Sequence, residues 1–453
     1  MTLPHIGDRE MGLAFPRRFW ATACLLVTLA TIVSGSTSVN IALPSIAADL
    51  AITPGEVVWV VNAYQLGAIV ALLPAAALGE MIGYRVVFRI GLSVFVLGAF
   101  LCSLSGSLPA LAAARALQGL GSAGVLGVMG AMVRHTYPRS WLGRGLGLNS
   151  LTASIATASG PLIGSALLSF VEWPWVFAVN LPLGILALSL TAALPHSTKF
   201  PARFNWQGAA LNAVTFGALI LGVGHLNTVP LLGLAEITLA LISGTILLRH
   251  ELSITRPLIP LDLLAMPSLA SAAGVSMFCF AAQLAALASL PFYFAELGVT
   301  RQEIAFLLTL CPCCIAPAAV LAGRLSDTCR PDLLCLLGTA VFGLGLGSLL
   351  LVHSQSQMLA LVAAMAVAGL GFGFFQTPNN RILVTSAPIE RSGGASGLQA
   401  MARECGFALG ASLLGLAFAM SPQHPAAAGV GVSVALTVGA TALGLARCFP
   451  PRS

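Results

Sequence analysis

The sequence predicts an all-α membrane protein of fourteen transmembrane helices, two pseudo-symmetric six-helix bundles plus an inserted helix pair, with the N- and C-termini cytoplasmic. Composition, segment length and the placement of basic residues carry this prediction. Of 453 residues, 57% are hydrophobic and 8% charged, against roughly 25% charged in a soluble domain. Fifteen acids and 21 bases are too few to clothe a soluble chain of this length. Among the 21 bases only Arg301 falls in an outside loop, while Arg115 and Arg403 lie inside apolar runs. The others, from Arg9, Arg17 and Arg18 to Arg391, Arg447 and Arg452, alternate onto one side, which the positive-inside rule makes cytoplasmic. The ten cysteines lie mostly in apolar runs and read as reduced packing thiols.

Cutting the chain where apolar runs of about 20 residues meet turn residues places the spans in order. They fall near 19–41, 57–79, 86–104, 108–132, 145–170, 175–194, 206–224, 229–248, 268–290, 303–322, 333–352, 357–378, 394–420 and 426–446. The first, in "PRRFWATACLLVTLATIVSG", is span-length and ends in no cleavage pattern, so it reads as a retained anchor. Span 2 runs into "AALGEMIGYR", where Gly83 permits a tight reversal, Arg85 closes the turn, and Glu80 can accept bonds from helix N-termini or arginines. The other reading of Glu80 is a solvated turn acid. Span 10 runs into "GRLSDTCRPD", which repeats that turn with Gly323 and Asp327. If spans 1–6 and 9–14 are equivalent halves, spans 7 and 8 are an insertion. The expected divisions are a tail at 1–18, a first bundle at 19–204, the inserted pair at 205–250, a second bundle at 251–447 and a tail at 448–453. Such repeats suit carriers that hold substrate near the midplane between rocking halves.

Inside the spans, Arg115 stands in "RALQGLGSA" on span 4, and a guanidinium there needs an acid, a cavity or backbone carbonyls. It serves either function or a structural tie between spans. On span 5, Gly160, Pro161 and Gly164 in "ASGPLIGS" strip away side-chain bulk and one backbone donor, which suits close helix approach. On span 13, "ARECG" places Arg403 beside Glu404, about 15 Å along a helix that rises 1.5 Å per residue.

These segments, in this order, resemble the major facilitator superfamily. "LGEMIGYR" is similar to its G-x-L-A-D-R-x-G-R-R turn, "RALQGLGSA" to its span-4 arginine motif and "ASGPLIGS" to its antiporter G-P-x-x-G motif. "TSVNIALPSI", "WVVNAY", "WPWVFAVNLPLG" and "QTPNNR" further resemble the fourteen-span drug/proton antiporters, over residues 30–420 or so. The resemblance implies a latch at Glu80, a seal against ion leak at Gly160, Pro161 and Gly164, and coupling at Arg115 beside Gln118 and Gly119. Ala76, Glu80 and Tyr84 depart from the turn motif, which implies a weaker latch, and Ala156 replaces a family glycine on span 5.

The departure with most consequence is on span 1. Aligning "NIALP" puts the family's intramembrane Asp at Gly35, with Thr37 and Asn40 kept. A proton-coupled carrier needs a titratable group raised by burial. Glu404, where the family carries an apolar residue, is the one deep acid in the chain, and Arg403 matches a family base. Glu404 therefore either supplies the missing carboxylate or merely compensates Arg403. Adjacent helical positions point about 100° apart, so each is free to face its own partner.

Other chemistry is not expected. Lys199 follows no glycine-rich loop, so no P-loop and no ATP-driven pump is read. "CPCC" lacks a nearby His and reads as packing thiols with a bend at Pro312. No metal, cofactor, enzymatic activity or nucleic-acid partner is expected. The resemblance points to a pocket lined by Thr37, Asn40, Asn62, Tyr64, Gln65, Gln118, Asn149, Phe375, Gln376 and Asn380, with Tyr64 and Phe375 as aromatic walls or, for Phe375 especially, as core packing. The reading is a monomeric, multi-pass exporter of the cell (inner) membrane that moves amphipathic drugs or biocides in exchange for protons. The alternatives are an exporter of one endogenous metabolite and a non-transporting receptor or scaffold.

Overall fold

The computed structural model describes residues 12–52, 54–57, 59–197, 204–225, 229–254, 260–352, 354, 357–421 and 423–448. Arg9, Lys199, Arg203, Arg256 and Arg452 of the basic set lie outside them, as do most of the two predicted tails. Among the described residues every regular element is helical. The long helices are α1 (Arg17–Asp49), α2 (Trp59–Ile82), α3 (Tyr84–Ser103), α4 (Leu108–Thr136), α5 (Leu142–Leu168), α6 (Asn180–Leu190, preceded by the short helix Pro174–Ala178), α7 (Trp206–His225) and α8 (Pro230–Leu252). They continue as α9 (Pro267–Glu296), α10 (Arg301–Leu325), α11 (Pro331–Leu349), α12 (Met358–Ser386), α13 (Ser392–Met420) and α14 (Pro425–Cys448). Twelve helices among the described residues are long and apolar enough to cross a membrane.

Local chemistry sets several boundaries. Pro230, Pro267, Pro331 and Pro425 open α8, α9, α11 and α14, at the turn where a missing N–H costs nothing. Thr300 and Glu303 form a capping box at the start of α10, Glu303 Oε2 accepting the Thr300 N–H at 2.9 Å. One residue, Gly83, separates α2 from α3; its φ of 103° is a conformation that a side chain would strain.

The chain forms two compact units, and each borrows a helix end from elsewhere in the sequence. The first holds residues 1–136, 159–265 and 387–400; the second holds 137–158, 266–386 and 401–453. Thus α5 begins in the second unit and ends in the first, whereas α13 does the reverse.

In the first unit α4 is the central helix. A Cβ on Gly119 would meet the Tyr64 carbonyl and stand 2.9 Å from the Ala68 nitrogen of α2, and one on Gly124 would stand 2.8 Å from Gly91 of α3. The α2, α3 and α4 backbones therefore touch, which supplies the dispersion contact that holds helices together in lipid. Trp173 ties the short helix before α6 to α1 through its indole N–H, 2.8 Å from Asp49 Oδ2. Helix α7 packs here too: its Asn212 Nδ2 donates to the Val70 carbonyl of α2 at 3.0 Å.

In the second unit α12 takes the corresponding place. A Cβ on Gly345 of α11 would crowd the Ala368 backbone, and one on Gly373 would stand 2.6 Å from the Ile315 carbonyl of α10. Phe280, Phe342, Phe372 and Phe375 fill the core with edge-to-face contacts, centroids 5.3–6.2 Å apart.

The backbone contacts at Gly119 leave no side chain to move aside. Gly119→Ala is expected to cost about 1–3 kcal/mol, the usual cost of overpacking. Gly106, whose added Cβ would meet nothing within 4 Å, is the control. Thermal unfolding of the two purified variants should show a lowered midpoint for Gly119→Ala only.

Candidate functional site

Each unit carries one candidate cluster organised by an acid at the end of a helix. In the first unit, Glu80 at the end of α2 is 4% exposed. Its Oε1 accepts the Gly394 N–H at 2.7 Å, and its Oε2 accepts from Arg391 Nη1 at 2.9 Å. Gly394 lies in the first turn of α13, where unpaired N–H groups and the helix dipole favour a carboxylate. The Tyr84 hydroxyl accepts the neighbouring Gly393 N–H at 2.8 Å. Tyr84 stands where the family motif has a base, so this departure adds a bond to the cluster. Arg391 also donates through Nε and Nη2 to Asp262, both at 2.7 Å. Burial works to lower the Arg391 guanidinium, but its bonds to Asp262 and the charge of Glu80 outweigh that and hold it above its ordinary value. Arg85 faces elsewhere, donating to the Ala192 carbonyl at 2.9 Å and contacting His196.

The second unit repeats the arrangement. Asp327, following α10, accepts the Gly143 N–H in the first turn of α5 at 2.9 Å and pairs with Arg381, with Arg144 Nε 3.5 Å from its other oxygen. Gly323 lies so close to Gly143 that a Cβ there would stand 2.5 Å from the Gly143 carbonyl.

Arg115 is 1% exposed. Its Nε donates to the Val60 carbonyl at 2.9 Å and its Nη1 to Gln118 Oε1 at 2.7 Å, while its Cζ lies 4.3 Å from the Tyr64 ring centroid and 5.8 Å from that of Phe177. These partners are a carbonyl, an amide and two aromatic faces, and none is a carboxylate. They satisfy much of the guanidinium and bind α4 to α2.

Gly35 faces α6. A Cβ there would stand 2.8 Å from Asn180 Oδ1, and Asn180, 3% exposed, donates to the Val176 and Phe177 carbonyls at 3.2 and 3.3 Å. The space beside residue 35 is thus filled by a neutral amide. Gly160 and Gly164 of α5 lie against α1, where a Cβ on Gly160 would strike Thr37 Oγ1 and one on Gly164 would stand 2.8 Å from the Ser38 carbonyl. The side chain of Pro161 is outside the described set.

Arg403 and Glu404 lie near the middle of the 29-residue α13. They bond to each other directly: Arg403 Nη2 and Nε reach Glu404 Oε1 at 3.0 and 3.2 Å. The expectation that each is free to face its own partner does not hold, because the long arginine chain folds back across the 100° between neighbours. Their side chains are 32% and 19% exposed.

The expected pocket residues divide between the units. Tyr64 and Gln118 meet at Arg115; Thr37 bonds to the Val33 and Ser34 carbonyls at 3.1 and 3.2 Å; Asn62 is half-buried; Asn40 and Gln65 are exposed. In the second unit Asn149, Gln376 and Asn380 are half-buried. Of the two readings of Phe375, aromatic wall or core packing, the second describes it: it is 1% exposed, its ring packed edge-on with those of Phe280 and Phe372. Sequence reasoning missed Asn379, which is fully buried and donates to the Ala272 carbonyl at 2.9 Å and to Ser276 Oγ at 2.8 Å. It also missed Asp262, Arg391 as its partner, and Asn180. "QTPNNR" held a signal for Asn379, but "IPLDLL" carries none for Asp262.

The model of the Major Facilitator Superfamily matches residues 24–410 and 269–452. The chain belongs to the major facilitator superfamily. Its members are transporters rather than enzymes, and this chain is a multi-pass membrane protein. Within the superfamily it is 38% identical to the uncharacterized transporter YebQ of Escherichia coli K12, over 98% of both chains. It is 28% identical to the riboflavin transporter RibZ of Clostridioides difficile, over 88% of this chain and 87% of that one. It is 31% identical to the multidrug resistance protein Stp of Mycobacterium tuberculosis, over 83% of this chain and 71% of Stp. The fold matches the proton:xylose symporter XylE with a TM-score of 0.70 over 96% of both chains, at 14% identity.

Arg115→Lys tests how far this buried guanidinium depends on its shape as well as its charge. A lysine keeps the charge but cannot span the Val60 carbonyl and Gln118 together or lie flat on Tyr64. One buried acceptor is left unpaired, at a cost of about 1–3 kcal/mol. The expected result is a lowered unfolding midpoint that Gln118→Ala lowers little further in the double variant, because both remove the same bond.

Proposed function

We propose that this chain is a proton-coupled exporter of amphipathic small molecules that works by alternating access in the cell (inner) membrane. We propose further that it crosses the membrane fourteen times, with α7 and α13, 20 and 29 residues long, added to the twelve helices above and with both termini cytoplasmic. The placement of basic residues and the fourteen-span motifs support that topology, and the 31% identity to the multidrug resistance protein Stp supports a drug-like substrate.

The observation that carries proton coupling is Glu404. It is a half-buried carboxylate midway along α13 whose side chain bonds to that of Arg403. Ionised, it pairs with Arg403; protonated, it releases that guanidinium, so a proton and a substrate can alternate at the same charge. A second reading, export of one endogenous metabolite, is favoured by Gly35. The amide of Asn180 in place of an acid removes a reason for broad cation recognition, and the 28% identity to a riboflavin transporter is in keeping with a narrow substrate.

Everted vesicles loaded with a pH-sensitive dye separate these readings. Glu404→Gln is expected to abolish substrate-induced proton movement, and intact movement in that variant would refute the coupling role. A deletion strain should become hypersensitive to members of a panel of cationic and neutral biocides; growth unchanged across the panel would turn the reading to a metabolite.

A further inference from the structure

The cluster around Arg391 holds one acid more than a simple pair requires. Arg391 presents two nitrogens to Asp262, both at 2.7 Å, and one to Glu80 at 2.9 Å. The two-pronged face of the guanidinium, its strongest geometry for a carboxylate, is therefore committed to Asp262. Asp262 stands in the one-turn helix Leu261–Leu264, on the segment that leads from the inserted pair into α9. Its side chain is 40% exposed, against 6% for Glu80.

Chain connectivity distinguishes the two acids. The chain passes into the second unit at Met266, just beyond Asp262, and residues 387–400, which carry Arg391, are joined to that unit at both ends. Glu80 belongs to α2, which lies wholly within the first unit. Arg391 and Asp262 are thus tethered alike, and Glu80 is not.

We infer that Asp262 is the constant partner of Arg391 and Glu80 the exchanged one, so that Asp262 loosens the contact of residues 387–400 with α2 instead of reinforcing it. The argument is a difference between two arrangements. The Arg391–Asp262 pair is present in both and cancels. Repulsion between Glu80 and Asp262, two carboxylates at one guanidinium, acts only while the contact is made. When the contact opens, Arg391 departs with its counter-charge, and the heavy cost of stranding an unpaired ion is avoided. The linker after the inserted pair thereby acquires a positioning role in the cycle, one that rests on alternating access but not on any substrate or coupling ion.

Ser396 supplies a reporter. It is 2% exposed, and its Oγ accepts the Gly130 N–H at 3.0 Å, so a cysteine there is shielded until residues 387–400 lift. The test measures the rate at which N-ethylmaleimide labels residue 396 of full-length Ser396→Cys protein in phospholipid nanodiscs, read by mass spectrometry of its peptide. Glu80→Gln should speed labelling. Asp262→Asn and Asp262→Ser should slow it about fivefold, the lower end of ordinary coupling between sites, and Asp262→Glu should leave it unchanged. Labelling of the Asn and Ser variants at or above the parent rate would overturn the inference, as would an Asp262→Glu variant as slow as they are. No substrate is needed, so failure of the proposed export function leaves this outcome readable.

Discussion

Direct contact between helix backbones along α4 and α12 is the constraint on which the rest of each unit depends. Lipid offers helices no hydrophobic drive to associate, so attraction must come from close dispersion contact and from bonds between helices. Gly119 and Gly124 bring α4 against α2 and α3, and Gly373 brings α12 against α10. With the backbones touching, neither α2 nor α10 can slide or rotate independently of the central helix. The acids that close those two helices, Glu80 and Asp327, are consequently held in place at the helix starts they meet.

Those meetings place buried charge economically. A carboxylate in a poorly hydrated place needs several donors, and the first turn of a helix offers N–H groups that have no partner of their own. Glu80 takes the Gly394 N–H and an arginine; Asp327 takes the Gly143 N–H and an arginine. The two clusters differ in side-chain length, and the difference follows from position. Glu80 still lies within its helix, whereas Asp327 has left α10 and is already turned toward α5, so the shorter side chain suffices.

The helices and the paired turns were legible in the sequence because their causes are local: runs of apolar residues, proline and glycine at ends, and an acid at one spacing after two spans. The borrowed helix ends were not. Nothing in "APIERSGG" reveals that residues 387–400 pack with the first unit, since that depends on contacts made across some three hundred residues of chain, as between Glu80 and Arg391. Asp262 was invisible for the same reason. Arg403 and Glu404 were seen, but their direct bond was not, because helical wheel geometry fixes the Cβ directions and leaves a long arginine free to fold back. Phe375 was ambiguous in the sequence and resolved only by the rings around it.

The small volume at residue 35 has electrostatic consequences. Asn180 Oδ1 occupies the room beside Gly35, and Asn180 is one helical turn beyond Phe177, whose ring lies 5.8 Å from the Arg115 guanidinium. An acid at 35 would have to push that amide aside, and the chain instead keeps a neutral group in the neighbourhood of a buried cation. Arg115 must then be stabilised by the Val60 carbonyl, Gln118 and the Tyr64 face, all of them uncharged partners. The coupling proposed above is assigned to the second unit. There the proposed coupling rests on Glu404, a carboxylate whose partner is already its neighbour in the chain, so gain or loss of a proton changes the charge of the pair without first requiring two helices to part.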